Sequence, residues 1–278
     1  MKKLIFFSTI KGDVDFFPIT KMSAHRFNWQ ATAKEECVEV LKENPTHTHY
    51  HRCPSFPLLN SMGAVIKLPF DIDFKKLDDG NVEWNVRGNP TISTADTFKE
   101  LKIIEWHNKH NISESHSILG DGVLKINTSW MVACTDPTIK ILFLPIMTPD
   151  QDIFTAVGGA LDLSKTAGFI NIQGYLRGSF KDYTLRAGTP LAQILPLTNE
   201  KLKIEFRHAL EHDQNLNQSL FYMTERGFSP KERQRIAQQA HNTWGEVERS
   251  RINVFRRKTN NLFRNTKNWF KKRGDAFS

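Results

Sequence analysis

Between Val123 and Phe206 the chain repeats short β-prone runs, and this series constrains its fold more than any other feature. The runs follow one another about every ten residues and are separated by turns rich in Gly and Pro, which is typical of an antiparallel sandwich or barrel. They are 123–126, 130–134, 139–146, 153–157, 169–173, 182–185, 191–197 and 203–206. The sequence contains no GxGxxG, P-loop or GxSxG motif, so the nucleotide-binding and hydrolase folds built on those motifs are not indicated.

The stretch from Lys181 to Pro196 shows this pattern most clearly, as two β-prone runs joined by Ala187-Gly188-Thr189-Pro190. We expect a strand, a turn and a second strand. Gly188 is expected to supply a positive φ in the turn. Gln193 is expected to satisfy hydrogen bonds at a sheet edge or between subunits. The alternative is that its amide recognises the edge of a nucleic-acid base.

The N-terminal part adds further predicted strands at Leu4–Ile10, Ala64–Leu68 and Ile72–Phe74, with a turn at Gly12-Asp13. The apolar run at the N-terminus is too short, and too closely followed by charges, for a signal peptide. No run reaches the roughly 20 apolar residues that a membrane-spanning helix needs. The chain is therefore expected to be neither secreted nor membrane-spanning.

A histidine-rich run precedes two of these strands. His47, His49, His51 and Cys53 alternate, so all four would share one face of a strand. Imidazole and thiolate groups bind zinc and other transition metals, which makes a metal site one interpretation. Same-face neighbours on a strand lie about 7 Å apart, however, and one metal ion seldom takes four ligands in a row. We therefore expect a polar strand face and no metal.

Beyond Phe206 the pattern becomes helical. His208–Met223 is weakly amphipathic, and Ser229-Pro230-Lys231-Glu232 is typical of a capping box with Pro at the first helical position. The helix that begins there is predicted to continue to about Lys272. Three regions follow: an N-terminal α+β extension at 1–116, a β domain at 117–206 and a basic helical tail at 207–278.

The formal charge of the chain is +8, and the tail accounts for all of it. Residues 229–278 hold 13 Lys or Arg and 4 Asp or Glu, whereas residues 1–228 hold 25 and 26. Such a tail is typical of contact with nucleic acid, an anionic surface or an acidic protein. The residues expected to bind a partner are Arg256, Arg257, Lys258, Arg264, Lys267, Trp269, Phe270, Lys271, Lys272 and Arg273.

An apolar stripe accompanies these basic residues at the three- and four-residue spacing of one helix face. It consists of Ile252, Phe255, Thr259, Leu262, Phe263, Thr266, Trp269 and Phe270. The stripe can pack on the protein's own body or on a sister subunit, lie on a membrane surface, or accompany binding to nucleic acid or an acidic groove. Amphipathic helices usually pack on protein, so a protein partner or self-association is expected first.

The β region resembles the β-clip fold of the trimeric dUTPase and dCTP deaminase superfamily. Gly159-Ala160-Leu161-Asp162 is similar to that family's Gly-hydrophobic-hydrophobic-Asp turn, and Gly188–Ile194 to its closing Gly-x-x-hydrophobic-Ala-Gln-hydrophobic strand. The resemblance implies Asp162 as a general base and Mg²⁺ on the nucleotide phosphates. Lys165, however, stands where the family has a Tyr that packs on the deoxyribose.

Two further family features are missing. Met147-Thr148-Pro149 stands where the family has its Arg-Ser-Gly phosphate turn, and the Gly-rich C-terminal arm that covers the active site is absent. The resemblance therefore implies the fold without the activity. Under that interpretation Asp162 is a turn residue that accepts local backbone N–H groups.

A second resemblance covers roughly residues 26–206. It is to an uncharacterised family of proteins found mainly in tailed phages, which shares a series of motifs in the same order. The matching residues are Trp29, Cys53-Pro54-Ser55-Phe56, Asn60, Pro69-Phe70-Asp71, Asn127, Trp130, Asp162 and Gly188–Pro196. This resemblance implies phage origin and no particular chemistry.

Together these features predict a mainly β, α+β protein. A β-clip-like antiparallel domain follows an N-terminal extension and precedes a long amphipathic helix. The expected function is that of a non-catalytic phage binding or virion assembly protein, located in the virion or the host cytoplasm, without a cofactor. The β domain would form oligomers and the basic helix would engage a partner. The alternative is a dUTPase-like nucleoside triphosphate pyrophosphatase that uses Asp162 and Mg²⁺.

Overall fold

The computed structural model describes residues 2–25, 42, 55–78, 82–87, 104–108, 122–146, 154–165, 169–176, 181–225 and 228–274. For some of these, among them Ile252 and residues 254–274, the description covers the backbone alone. The predicted metal ligands His47, His49, His51 and Cys53 lie outside the described residues.

Fourteen strands and four helices are described. The strands are β1 (Lys3–Ser8), β2 (Thr20–Lys21), β3 (Ala64–Lys67), β4 (Ile72–Lys76), β5 (Val82–Val86), β6 (Ile104–Asn108), β7 (Gly122–Cys134), β8 (Lys140–Leu144), β9 (Phe154–Ala156), β10 (Gly159–Asp162), β11 (Phe169–Leu176), β12 (Asp182–Leu185), β13 (Pro190–Leu197) and β14 (Lys203–His208). The helices are α1 (Lys11–Phe16), α2 (Ser55–Ser61), α3 (Glu211–Glu225) and α4 (Pro230–Gly274), and a 3-10 turn spans Met22–Ala24.

The strands form three sheets. Sheet A has the order β14-β1-β7-β11-β9, with β6 also paired to β7; sheet B has the order β10-β8-β13-β3-β2; sheet C has the order β12-β4-β5. Every described pair is antiparallel except β1 with β14. The predicted mainly β, antiparallel fold class is confirmed.

Strand β1 of sheet A is buried on both faces, and its sequence shows this. Leu4 and Phe6 point into the core that sheets A, B and C share, whereas Ile5 and Phe7 point to the opposite face, against α3 and α4. All four side chains are at most 1% exposed. A continuous apolar run, rather than an alternating one, is what a strand buried on both faces requires.

A turn at residues 186–189 carries the chain from sheet C to sheet B. The predicted strand–turn–strand is confirmed, but its two strands pair in different sheets: β12 with β4, and β13 with β3 and β8. The segment between β3 and β4 turns the same corner beside it, joined by the bonds Gly188 N–H to Leu68 O (2.7 Å) and Leu68 N–H to Thr189 O (2.8 Å). Gly188 has φ +86°, as predicted.

Three local predictions were wrong. Gly12-Asp13 lies inside α1, whose Asp13 is buried, and not in a turn. The predicted runs 123–126 and 130–134 form the single strand β7, which is long enough to pair with β6 and then with β1. Gly159–Asp162 is the edge strand β10, paired with β8, and the turn begins only after it. In each case long-range pairing or packing overrides the local sequence pattern.

Candidate functional site

Two fully buried carboxylates hold the helical layer on sheet A, and Asp213 of α3 is the first. Its oxygens accept hydrogen bonds from both Nη atoms of Arg207 (2.5 and 3.1 Å), from the Leu210 backbone N–H (2.7 Å) and from Trp244 Nε1 (2.7 Å). Arg207 belongs to β14 and Trp244 to α4. One carboxylate therefore ties a strand and both helices together.

Glu248 of α4 is the second buried carboxylate, and both it and Asp213 are 0% exposed. It lies 3.2 Å from Lys3 Nζ, 3.1 Å from His212 Nε2 and 3.4 Å from Arg207 Nη2. Removing one partner from such a buried cluster leaves an uncompensated charge, which typically costs about 3–5 kcal/mol. These contacts fix the position of α4 along the sheet.

Apolar packing supports the same attachment. Leu216 and Leu220 of α3 and Ala237 and Trp244 of α4 form one buried cluster on the outer face of sheet A. Their sheet partners are Ile5, Phe7, Met131 and Ala133. Residues from Glu211 to Glu248 thus belong to the folded body, although they fall within the basic helical tail that the sequence defined at 207–278.

The predicted capping box marks where α4 begins. The side chain of Glu232 accepts bonds from the Ser229 backbone N–H (2.9 Å) and hydroxyl (2.6 Å), and the Glu232 backbone N–H points back to Ser229 Oγ at 3.4 Å. Pro230 is the first helical residue. The local sequence therefore determines this helix start, as expected.

The described contacts between α4 and sheet A extend as far as Arg249. Glu248 contacts Lys3, the first residue of β1, and Arg249 Nη1 donates to the carbonyl of Thr135, directly after the last residue of β7 (3.0 Å). The helix continues 25 residues further, to Gly274. At 1.5 Å per residue this is about 37 Å of helix after the Arg249 contact.

The charge of α4 changes at the same point. From Pro230 to Ser250 it has four Lys or Arg and three Asp or Glu, whereas from Arg251 to Gly274 it has nine Lys or Arg and no acidic residue. We call residues 251–274 the basic arm. All ten residues that the sequence predicted to bind a partner lie on its helical backbone.

Asp162, the predicted base of the enzyme alternative, lies at the end of the edge strand β10. Its Oδ1 accepts bonds from the Ser164 hydroxyl (2.6 Å) and backbone N–H (3.1 Å), and Oδ2 lies 3.9 Å from Lys140 and 3.8 Å from Lys165. The Ser164 bonds lower the pKa of the Asp162 carboxyl below its usual value. These are the contacts of a turn residue, and a lowered pKa makes the carboxylate a weaker base.

Gln193 is buried in β13, a central strand of sheet B. Its Nε2 donates to the carbonyls of Leu59 (2.7 Å) and Met62 (2.8 Å) at the C-terminal end of α2. Its amide therefore satisfies carbonyl groups that a helix end leaves without intrahelical partners. It joins α2 to the sheet, a contact that neither of the two sequence-based interpretations described.

Sequence reasoning missed the five residues that anchor the helices: Lys3, Arg207, His212, Asp213 and Glu248. For Glu248, the sequence did contain a pattern from which its burial could have been predicted. Ala237, His241, Trp244 and Glu248 follow the three- and four-residue spacing of one helix face, and a carboxylate on such a face needs a buried cation. The positions of Lys3 and Arg207, far away in sequence, gave no comparable signal.

Among the described residues, no cluster of three or more His, Cys, Asp or Glu side chains is arranged to hold a metal ion. No helix in the described part of the chain is both long and apolar enough to cross a membrane. The chain matches no protein-family model and no curated protein sequence.

Proposed function

We propose that this chain is a phage-encoded, non-catalytic virion structural or assembly protein that engages an acidic partner through the basic arm. The main observation behind the proposal is that the two halves of α4 differ in charge and in their attachment to the body. Its first half is nearly neutral and anchored by buried ion pairs, whereas its second half has nine cationic residues without an acidic one. A basic helix whose first half is fixed to the folded body is suited to binding an acidic partner rather than to catalysis.

The β-clip-like architecture, its role in oligomerisation and the phage origin belong to the same proposal. The ordered motifs from Pro69-Phe70-Asp71 to Gly188–Pro196 support it. Asp71 lies at the corner between sheets, where its carboxylate accepts a bond from the Ala187 backbone N–H (2.7 Å) and pairs with Arg186 (3.2 Å). The motif Pro69-Phe70-Asp71 and the start of the motif Gly188–Pro196 therefore lie close together at the turn between sheets C and B.

The contacts of Asp162 favour the non-catalytic function over a nucleoside triphosphate pyrophosphatase. Its carboxylate is bonded to Ser164 within its own turn and lies near two lysines. The pyrophosphatase alternative makes a simple prediction. Purified protein with Mg²⁺ would cleave at least one nucleoside or deoxynucleoside triphosphate, and an Asp162→Asn variant would not.

Mass spectrometry of purified phage particles from the source phage tests the proposed function. We expect the protein at a fixed copy number per particle, in the virion rather than only in the host cytoplasm. Its absence from particles, together with triphosphate cleavage that depends on Asp162, would overturn the proposal.

A further inference from the structure

Strand β14 forms one edge of sheet A, and its outer side pairs with no described strand. It has six residues, more than any other described strand at a sheet edge. Its register with β1 runs without a break from Lys203 to His208, so it has no bulge, and its sequence contains no proline. Bulges, prolines and short lengths are common means by which proteins keep edge strands from pairing with other chains. None of these three protects β14.

The hydrogen bonds between β14 and β1 show which backbone groups point outward. Lys203 N–H donates to the Lys2 carbonyl (3.0 Å), and Ala209 N–H donates to the Ser8 carbonyl (2.9 Å). In a parallel pair every second residue bonds to the same neighbouring strand, so the odd-numbered residues of β14 face β1. The residues whose N–H and C=O groups point away from the sheet are therefore Ile204, Phe206 and His208.

The surroundings of β14 leave this edge accessible. At its two ends the side chain of Lys203 is 50% exposed and that of His208 is 47% exposed. The helical layer packs its apolar side chains on β1 and β7, the strands that lie behind β14. Within the described part of the chain, no other segment bonds to the outward N–H and C=O groups of β14. An extended strand can therefore add to sheet A at this edge through main-chain hydrogen bonds.

We propose that the added strand is β14 of a second copy of this chain, paired antiparallel about a two-fold axis that passes through Phe206. This register places Phe206 opposite the same residue of the second copy, and Ile204 opposite His208. Every outward N–H group of one copy then meets a carbonyl group of the other. The contact is self-complementary, as a two-fold interface must be. The inference specifies the oligomerisation that the proposed function includes, and it rests on that function.

The charged side chains of β14 select this register. Glu205 and Arg207 share the face of sheet A that the helices cover, and the axis at Phe206 places Glu205 of each copy opposite Arg207 of the other. Opposite charges directly across two strands stabilise the pairing, whereas like charges destabilise it. The two neighbouring registers that keep the outward groups facing each other have their axis at Glu205 or at Arg207. Each of them places that charged residue opposite its own counterpart.

The apolar side chains on the other face of β14 also suit the pairing. Ile204 and Phe206 pack against the core that the sheets share, but they are only partly buried. The ring of Phe206 stacks on Phe6, with the two ring centroids 5.5 Å apart. Phe206 of the second copy lies directly opposite and covers the exposed part of this ring pair. Aromatic contact therefore adds to the main-chain hydrogen bonds.

Sedimentation equilibrium of the full-length chain tests the proposal, with Ile204→Pro as the informative variant. Proline lacks the outward N–H but removes no bond to β1, so we expect it to raise the dissociation constant of self-association by about tenfold or more. Ile204→Ala is the matched control, because it also shortens the side chain but keeps the N–H, and it should have a smaller effect. Circular dichroism of all three proteins verifies that the fold is retained. An equal dissociation constant for Ile204→Pro and the wild type would overturn the inference.

Hydrogen–deuterium exchange of the unmodified chain provides a second measurement that needs no variant. Dilution below the dissociation constant is expected to speed exchange of the outward amides of β14, because they lose their partners in the second copy. The amides of β1 and β7 are bonded within one copy and should keep their exchange rates. A monomer at every concentration, or exchange of β14 that does not depend on concentration, would contradict the pairing. The copy number in phage particles is measured separately, so failure of the proposed function and failure of this inference remain distinguishable.

Discussion

Two glycines with positive φ illustrate how differently single positions constrain this fold. Gly188 has φ +86°, and an added Cβ would meet only a Phe17 ring carbon at 4.0 Å. Gly63 has φ +72°, and its Cβ would lie 2.1 Å from the carbonyl oxygen of Ile194. Conformation alone therefore requires Gly188, whereas Gly63 is also required by close contact with β13.

Replacing each glycine with alanine separates these two effects. Gly188→Ala is expected to lower the free energy of unfolding by about 1–2 kcal/mol, the usual cost of a left-handed non-glycine residue. Gly63→Ala is expected to cost more, because β13 must also move. Urea denaturation of both variants measures the difference, and equal losses would show that the contact with Ile194 is easily relieved.

The buried carboxyl of Asp13 makes stability depend on pH. Burial raises its pKa to about 6 from 3.8, although Ser129 donates a hydrogen bond to it. Between pH 4 and pH 6 the folded protein retains a proton that the unfolded chain has released, so stability falls as pH rises. Above pH 6 the penalty is constant, at about 3 kcal/mol or less for a shift of this size.

Asp13→Asn removes this penalty, because the amide is neutral and its oxygen can still accept the Ser129 bond. The variant is expected to be more stable than the wild type at pH 8, by up to about 3 kcal/mol, and similar to it at pH 4. Chemical denaturation at both pH values measures this. An equal difference at pH 4 and pH 8 would contradict the proposed ionisation.

At the scale of elements, α4 combines an anchored half and a strongly basic half in one uninterrupted helix. Its first half is fixed by apolar contacts to sheet A and by Glu248, which meets cations from β1 and β14. Its second half concentrates the charge of the chain. Because one rigid element contains both, the anchor determines the direction in which the basic arm extends.

The two glutamates at positions 246 and 248 give a matched test of the anchor. Glu248→Gln retains the shape but leaves Lys3 and Arg207 with one fewer buried negative charge, so a loss of about 3 kcal/mol is expected. Glu246 is exposed in the same helix turn, and Glu246→Gln should change stability by less than about 0.5 kcal/mol. Thermal and urea unfolding compare them, and a similar, small effect for both would show that the buried cluster is not stabilising.

At the scale of the whole molecule, the boundary between the part of the chain packed on sheet A and the basic arm lies inside α4 rather than at its start. Residues up to Arg249 cover Ile5, Phe7, Met131 and Ala133 on the outer face of sheet A. The basic arm begins only after them. The first half of the helix covers apolar side chains of sheet A, whereas the second half contains most of its Lys and Arg residues.

Truncations on either side of this boundary should behave differently. A chain that ends at Arg251 is expected to fold with nearly unchanged thermal stability, because the anchoring contacts remain. A chain that ends at Phe228 exposes the outer face of sheet A and is expected to aggregate or unfold. Circular dichroism and gel filtration distinguish them, and a stable, monodisperse chain ending at Phe228 would contradict the role assigned to α4.

The sequence by itself determined which segments form strands and helices wherever local pattern was decisive. The spacing of runs from Val123 to Phe206 predicted the antiparallel β class, Gly188 its positive φ, and Ser229-Pro230-Lys231-Glu232 the start of α4. Only the tertiary structure decided that β12 and β13 belong to different sheets, that Gly159–Asp162 is an edge strand, and that Lys3, Arg207, Asp213 and Glu248 meet under the helices. The reason is physical: caps and turns depend on neighbours in the chain, whereas strand partners and buried ion pairs depend on residues that only folding brings together.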